Sequence, residues 1–232
     1  MEAETLDLPE LARYLNRDVR DLEKLASKGQ LPGRRVGGRW TVRRQEVHHW
    51  LERGVPDFDE QQLSEMESAL SHSSIEDLVV ASLMSDERAS VALNGRTAPG
   101  VLKDLVELAN ADWQVYDPDS VYSAVREREF SASTAMAGGV AVPHPRGRMA
   151  DALAESVVAF GRAPGGIPFG DPRGGLTDLF FLVLAKDDIT HLRVLARLAR
   201  LFLREGFLDQ LRLCETPGEV VEAVVEAERG VA

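Results

Sequence analysis

Ser133-Thr134-Ala135-Met136-Ala137-Gly138-Gly139-Val140-Ala141-Val142-Pro143-His144-Pro145-Arg146 is the stretch from which the rest of the chain can be read. The residues from Ser133 to Gly139 are mostly small and read as a loop. Val140-Ala141-Val142 follows as a short apolar strand, and that strand presents a histidine with an arginine two positions on. Prolines on both sides of His144 restrict the backbone that carries it. An imidazole fixed at a strand end, beside a guanidinium, is suited to receiving a doubly charged phosphoryl group. That chemistry requires the ring to be accessible, with cationic neighbours close by.

Working outward, Pro118–Arg128 reads as a helix entered through Asp117 as N-cap, with Pro118 at the first helical position, where no amide proton is missed. Upstream, Pro99–Asn110 turns Val101, Leu102, Leu105 and Leu108 to one face. Downstream, Ser156-Val157-Val158-Ala159-Phe160 and Leu179–Ala185 are continuous apolar runs, the pattern of strands covered on both faces. Ile189 to Glu205 and Pro217–Glu228 are helical. This order predicts an α/β domain, a mixed β-sheet flanked by helices on both faces.

The segment around His144 resembles the active-site signature of enzyme IIA domains of the mannitol/fructose/nitrogen type in the bacterial phosphotransferase system. The likeness runs from about Ile75 to Val225, and Gly166-Ile167-Pro168-Phe169-Gly170 and Leu179–Leu198 add to it. It implies that His144 is transiently phosphorylated by an HPr-like phosphocarrier protein. It also implies that His191, at the start of a helix, lies beside His144 and orients the phosphoryl group. The family's Arg-Glu pair aligns on Arg128-Glu129, which assigns Arg128 to the phosphoryl oxygens, with Arg126 as a competitor. Arg146 belongs to the same constellation by sequence, or faces the protein partner. Ala135, Ala137 and Pro145 stand where the family commonly has glycine, while Gly139 is retained.

The N-terminal fifty residues read differently. Leu8, Leu11, Tyr14 and Leu15 form a short amphipathic helix, with Asp7 and Glu10 at capping-box spacing. A second helix starts at Asp18, buries Val19, Leu22, Leu25 and Ala26, and ends at Gly29. Arg34-Arg35-Val36, Gly37-Gly38 and Arg39-Trp40-Thr41-Val42 read as a hairpin, and a helix through Val47, Trp50 and Leu51 closes the unit. This is a small winged helix-turn-helix. The run from Gly29-Gln30-Leu31-Pro32 to Trp50-Leu51 resembles the excisionase/MerR-like helix-turn-helix domain. Arg17, Arg20 and Lys24, on or before the second helix, and Arg34, Arg35 and Arg39, on the wing, are the candidate DNA contacts. Asp21 and Glu23 on the same helix oppose binding. Trp40 and Trp50 read as core anchors.

Charge separates the two parts. The chain of 232 residues carries a net −11, but residues 1–54 carry a net +2 and the remainder −13. Lys28 to Arg44 contains six basic residues and no acid, so one end is suited to a polyanion. The expected domains are 1–54, a polar linker over 55–73 that includes His72 and in which Gln61 to Leu70 can form a short helix, and 74–232. A single cysteine, Cys214, excludes an internal disulfide and a Cys-based zinc site. His48 and His49 are adjacent rather than spaced as ligands, so no metal and no cofactor is expected. No apolar run is long enough for membrane insertion and no secretory leader opens the sequence, so the expected address is cytoplasmic.

Together these features predict a phosphohistidine carrier with a regulatory role, rather than a free-standing turnover enzyme. Its charge state would control DNA or partner binding by the winged domain. The alternatives are a sugar-uptake component that passes phosphoryl to a IIB domain, and a sensor of the same fold that is never phosphorylated.

Overall fold

The computed structural model describes residues 5–15, 17–70, 78–171 and 173–231, and it divides into two compact units at Ser73/Ser74. His72 lies outside the described residues.

The first unit contains β1 (Thr5–Asp7), α1 (Leu8–Leu15), α2 (Val19–Ser27), β2 (Arg34–Val36), β3 (Arg39–Arg43), α3 (Arg44–Gly54) and α4 (Glu60–Leu70). Asp7 and Glu10 bond each other's backbone amides reciprocally, at 2.8 and 2.9 Å, which starts α1. Asp18 caps α2 by accepting from Arg20 N at 2.7 Å. Gly37 and Gly38 hold φ of 59° and 82°, the paired positive values of a tight two-residue hairpin turn. The antiparallel sheet runs β1-β3-β2, over a core that includes Leu11, Leu22, Val42 and Val47.

Three features of this unit depart from the sequence reading. β1 is too short to show alternation and is defined only by its pairing, Thr5 opposite Arg43. The short helix read within the expected linker is α4, and it belongs to the folded unit rather than to a linker, burying Leu63, Met66 and Leu70 and packing against α1. Its polar, acidic composition hides a stripe at i, i+3, i+7. Trp40 and Trp50 are only half-buried, and Trp40 serves instead as a platform for the Arg35 guanidinium, 5.3 Å from the ring centre.

The second unit contains β4 (Ala89–Ser90), α5 (Ala98–Ala109), α6 (Pro118–Ser131), β5 (Ala135–Met136), β6 (Val140–Ala141), β7 (Val157–Ile167), β8 (Thr177–Leu184), α7 (Asp188–Leu203), α8 (Phe207–Leu213) and α9 (Pro217–Arg229). Its sheet runs β4-β7-β8-β6-β5. β4 and β6 lie parallel to β7 and β8 respectively, whereas β7–β8 and β5–β6 are antiparallel. Side chains along β7 and β8 alternate between two cores. Val158, Phe160, Phe181 and Val183 face a layer with residues of α7, α8 and α9. Val157, Ala159, Phe180 and Leu182 face α5 and α6. This is the mixed sheet with helices on both faces that the apolar runs implied. Each buried phenylalanine contributes about 1.5–3 kcal/mol.

Cys214 is buried and its thiol lies 3.3 Å from Gln210 O, and burial pushes its pKa up, which suits an inert thiol. Among the described residues no helix is long and apolar enough to cross a membrane.

Candidate functional site

The site is built at the exit of β6. Gly138 and Gly139, with φ of 90° and 78°, turn the chain from β5 into β6. A Cβ on Gly139 would stand 2.8 Å from Asp178 Oδ1, so glycine is required there by space as well as by φ. Asp178 is held by Arg212 of α8 through two hydrogen bonds, 2.8 and 2.9 Å, and the same guanidinium bonds the Gly138 carbonyl. Two residues beyond β6, Pro143 O accepts from Val183 N at 3.0 Å. The segment that leads to His144 is thereby fastened to the sheet and to α8.

The His144 ring has a defined orientation. Its Nδ1 lies 2.7 Å from Val142 O, and a carbonyl can only accept, so Nδ1 carries the proton. Nε2 therefore keeps the lone pair, and it accepts from Arg128 Nε at 3.1 Å. Arg128 comes from the last turn of α6, and its Nη1 donates to Ala132 O at 2.5 Å. His191 stands edge-on to His144, with ring centres 5.0 Å apart and planes at 64°. It sits in the first turn of α7, whose Asp187 cap accepts from Thr190 N at 2.8 Å.

These contacts bring His144, Arg128 and His191 together and separate the two arginine candidates. Arg126 is exposed and lies over Phe130, 5.5 Å from the ring centre, away from the imidazole. Arg146 is exposed and bonds Ser131 Oγ at the end of α6. The expectation of an accessible ring is not met. His144 is only 4% exposed, with Arg128 and His191 against its ring.

A supporting network was not legible in the spacing. Glu129 turns away from solvent and accepts from Thr134 N and Thr134 Oγ1, both at 2.7 Å. Ser133 Oγ lies 2.9 Å from Glu129 Oε1 and 2.7 Å from Phe169 O. Burial pushes the Glu129 carboxyl above the usual carboxylate range, against the opposing pull of these donors and of Arg128. The one available signal was the Arg-Glu doublet followed by Ser133-Thr134.

In the first unit, Arg20 and Lys24 are exposed on α2, although Lys24 pairs with Asp21 at 3.1 Å. Arg34, Arg35 and Arg39 are exposed on the hairpin. Arg17 is half-buried, 6.0 Å from the Phe58 ring centre. Tyr14 Oη meets the buried His48 Nε2 at 2.7 Å, and His49 faces Glu52 at 3.5 Å, so both histidines have structural partners.

Comparison with known proteins identifies the families of both units. The family described as "Phosphoenolpyruvate-dependent sugar phosphotransferase system, EIIA 2" matches residues 82–227, and a helix-turn-helix domain family matches residues 5–55. The chain is 30% identical over 132 residues to the fructose-specific EIIA component of a phosphotransferase system from Haloferax volcanii, covering 56% of this chain and 84% of that protein. It is 25% identical over 150 residues to a nitrogen regulatory protein of Pseudomonas aeruginosa, covering 64% and 96%. A solved complex of enzyme IIA-Mtl with phosphorylated enzyme IIB-Mtl from Escherichia coli shares the fold, with TM-score 0.55, 20% identity, and coverage of 62% of this chain and 97% of that one. With the family matched over the sheet, both flanking helical layers and the His144 segment, the chain belongs to the EIIA 2 family of the phosphoenolpyruvate-dependent sugar phosphotransferase system and carries a helix-turn-helix domain ahead of it.

Proposed function

We propose that the second unit accepts a phosphoryl group on His144 from an HPr-like phosphocarrier, and that its phosphorylation state governs DNA or partner binding by the first. The observation that carries this reading is the pair of bonds on one ring, Nδ1 to Val142 O and Nε2 to Arg128 Nε. They leave Nε2 as the nitrogen with a lone pair for phosphorus. In the transfer, that lone pair attacks in line while the P–N bond of the donor phosphohistidine breaks, and the donor imidazole leaves with those electrons. The proton on Nδ1 stays against Val142 O, which stabilises the positive charge acquired by the phosphorylated ring. Arg128 and the N-terminal turn of α7 neutralise the phosphoryl oxygens. His191 packs edge-on and orients the group.

Incubation of the full chain with phosphoenolpyruvate, enzyme I and the cognate HPr-like carrier is expected to add one acid-labile phosphate. His144→Ala is expected to abolish it, and absence of incorporation in the unaltered protein would refute the proposal. DNA binding is read by electrophoretic shift at two salt concentrations. Arg20→Ala is expected to weaken it if α2 enters the groove, whereas loss only in Arg34→Ala or Arg39→Ala would place the contact on the hairpin.

A second reading is onward transfer from His144 to a IIB domain. It is favoured by the fold shared with an enzyme IIA solved together with its phosphorylated IIB partner. Movement of labelled phosphate from His144 to a IIB domain encoded nearby would establish it.

A further inference from the structure

The same hydrogen bond that marks Nε2 as the nucleophile also occupies it. Arg128 Nε donates to the lone pair that would attack phosphorus, at 3.1 Å. At rest the guanidinium is held in place. Its Nη1 is anchored on Ala132 O, and the residues after Ala132 are pinned because Glu129 accepts from Thr134 N and Thr134 Oγ1. A lone pair that is accepting a charge-assisted hydrogen bond is a poorer nucleophile than a free one, since the bond must be broken before attack.

We infer that Arg128 is a two-position gate on His144. At rest its Nε–H masks Nε2. When a phosphoryl group bound to a carrier arrives, its oxygens compete for the same donors, the guanidinium turns to them, and the lone pair is released only then. The anchor on Ala132 O allows this turn without withdrawal of the side chain from the site. The gate makes His144 unreactive toward electrophiles that offer no anionic oxygens to the arginine, and so confines modification to phosphoryl donors. This inference rests on the proposed phosphoryl acceptance, which it deepens by assigning Arg128 a role before the transfer.

The test uses a neutral electrophile, so that loss of the arginine's charge costs the reaction nothing. Diethyl pyrocarbonate is attacked at its carbonyl carbon by a free imidazole nitrogen. An N–C bond forms, ethyl carbonate leaves, and the Nδ1 proton goes to solvent. The full chain and its Arg128→Met variant, which keeps the stem but has no donor, are treated near neutral pH. Modification of each histidine is followed by peptide mass spectrometry. His144 is expected to react about tenfold faster in Arg128→Met, the factor lost with one charge-assisted hydrogen bond. His49 is the internal reference. The same variant is expected to accept phosphoryl from the carrier more slowly. Faster carbethoxylation with slower phosphorylation supports the gate, and unchanged or slower carbethoxylation of His144 overturns it.

A second readout needs no variant. In the unaltered protein labelled with 15N-histidine, the Nε2 resonance of His144 is expected at the position of a hydrogen-bonded acceptor nitrogen, and the shift of a free one overturns the gate. If the unaltered protein takes up no phosphate from the carrier, the proposed function fails, while the carbethoxylation ratio still reports on the mask alone.

Discussion

Glu129 and Arg128 are neighbours on α6, yet their side chains leave in different directions, one toward Thr134 and one toward His144. The carboxylate is buried with three donors around it, and burial outweighs them in setting its pKa above the ordinary value. The folded state therefore holds this proton more tightly than the unfolded chain does. The resulting penalty is complete above the raised value and is relieved as pH falls through it toward the ordinary carboxylate range. Glu129→Gln cannot titrate, so on acidification through the raised value toward the ordinary carboxylate range the unaltered protein is expected to gain thermal stability relative to the variant. Parallel melts across that range check the sign. Glu129→Ala strands the Thr134 amide and hydroxyl, and is expected to cost about 1–3 kcal/mol in denaturant titrations. A larger effect is expected at Glu228, which accepts from Val80 N at 3.0 Å, Ala81 N at 2.8 Å and Arg197 Nη1 at 3.2 Å while wholly buried. Glu228→Ala leaves the Arg197 cation in the interior, at a cost of about 3–5 kcal/mol.

Among the elements, the β5–β6 hairpin is the one whose geometry the site depends on. Its turn needs positive φ at Gly138 and Gly139, and Asp178 stands where a side chain on Gly139 would go. Gly139→Ala is expected to destabilise the second unit by about 1–3 kcal/mol and to slow phosphoryl acceptance, because displaced Asp178 and Arg212 no longer hold the strand before His144. Thermal unfolding and the carrier assay together check both parts. In the first unit, α4 extends the helix-turn-helix by a buried face of Leu63, Met66 and Leu70. Leu63→Ala is expected to cost about 2–5 kcal/mol in that unit, and a measured loss near zero would show that α4 is dispensable.

Over the full chain, charge and periodicity made most of the architecture legible. The apolar runs at 157–160 and 179–184 could only be strands covered twice, and the two alternating cores are the result. Asp7, Asp18 and Asp117 announced their caps because such bonds span only a few residues. Less was legible where partners are distant in sequence. The choice between Arg126 and Arg128 depended on which side of one helical turn met the ring. The fate of Arg146 depended on where Ser131 ended α6, and the ring contact of His144 with His191 on the approach of α7.

The amino-acid order by itself determined the two-unit division and the mixed sheet, and it marked His144 and a set of candidate cations, because each is written in local pattern or in a short motif. Only tertiary structure decided which nitrogen of His144 keeps its lone pair, that Arg128 covers it, and that Glu129 is buried behind them. Those outcomes depend on distances between α6, β6 and α7. Packing of the sheet against its helices sets such distances to within a few tenths of an ångström, and no spacing along the chain encodes them.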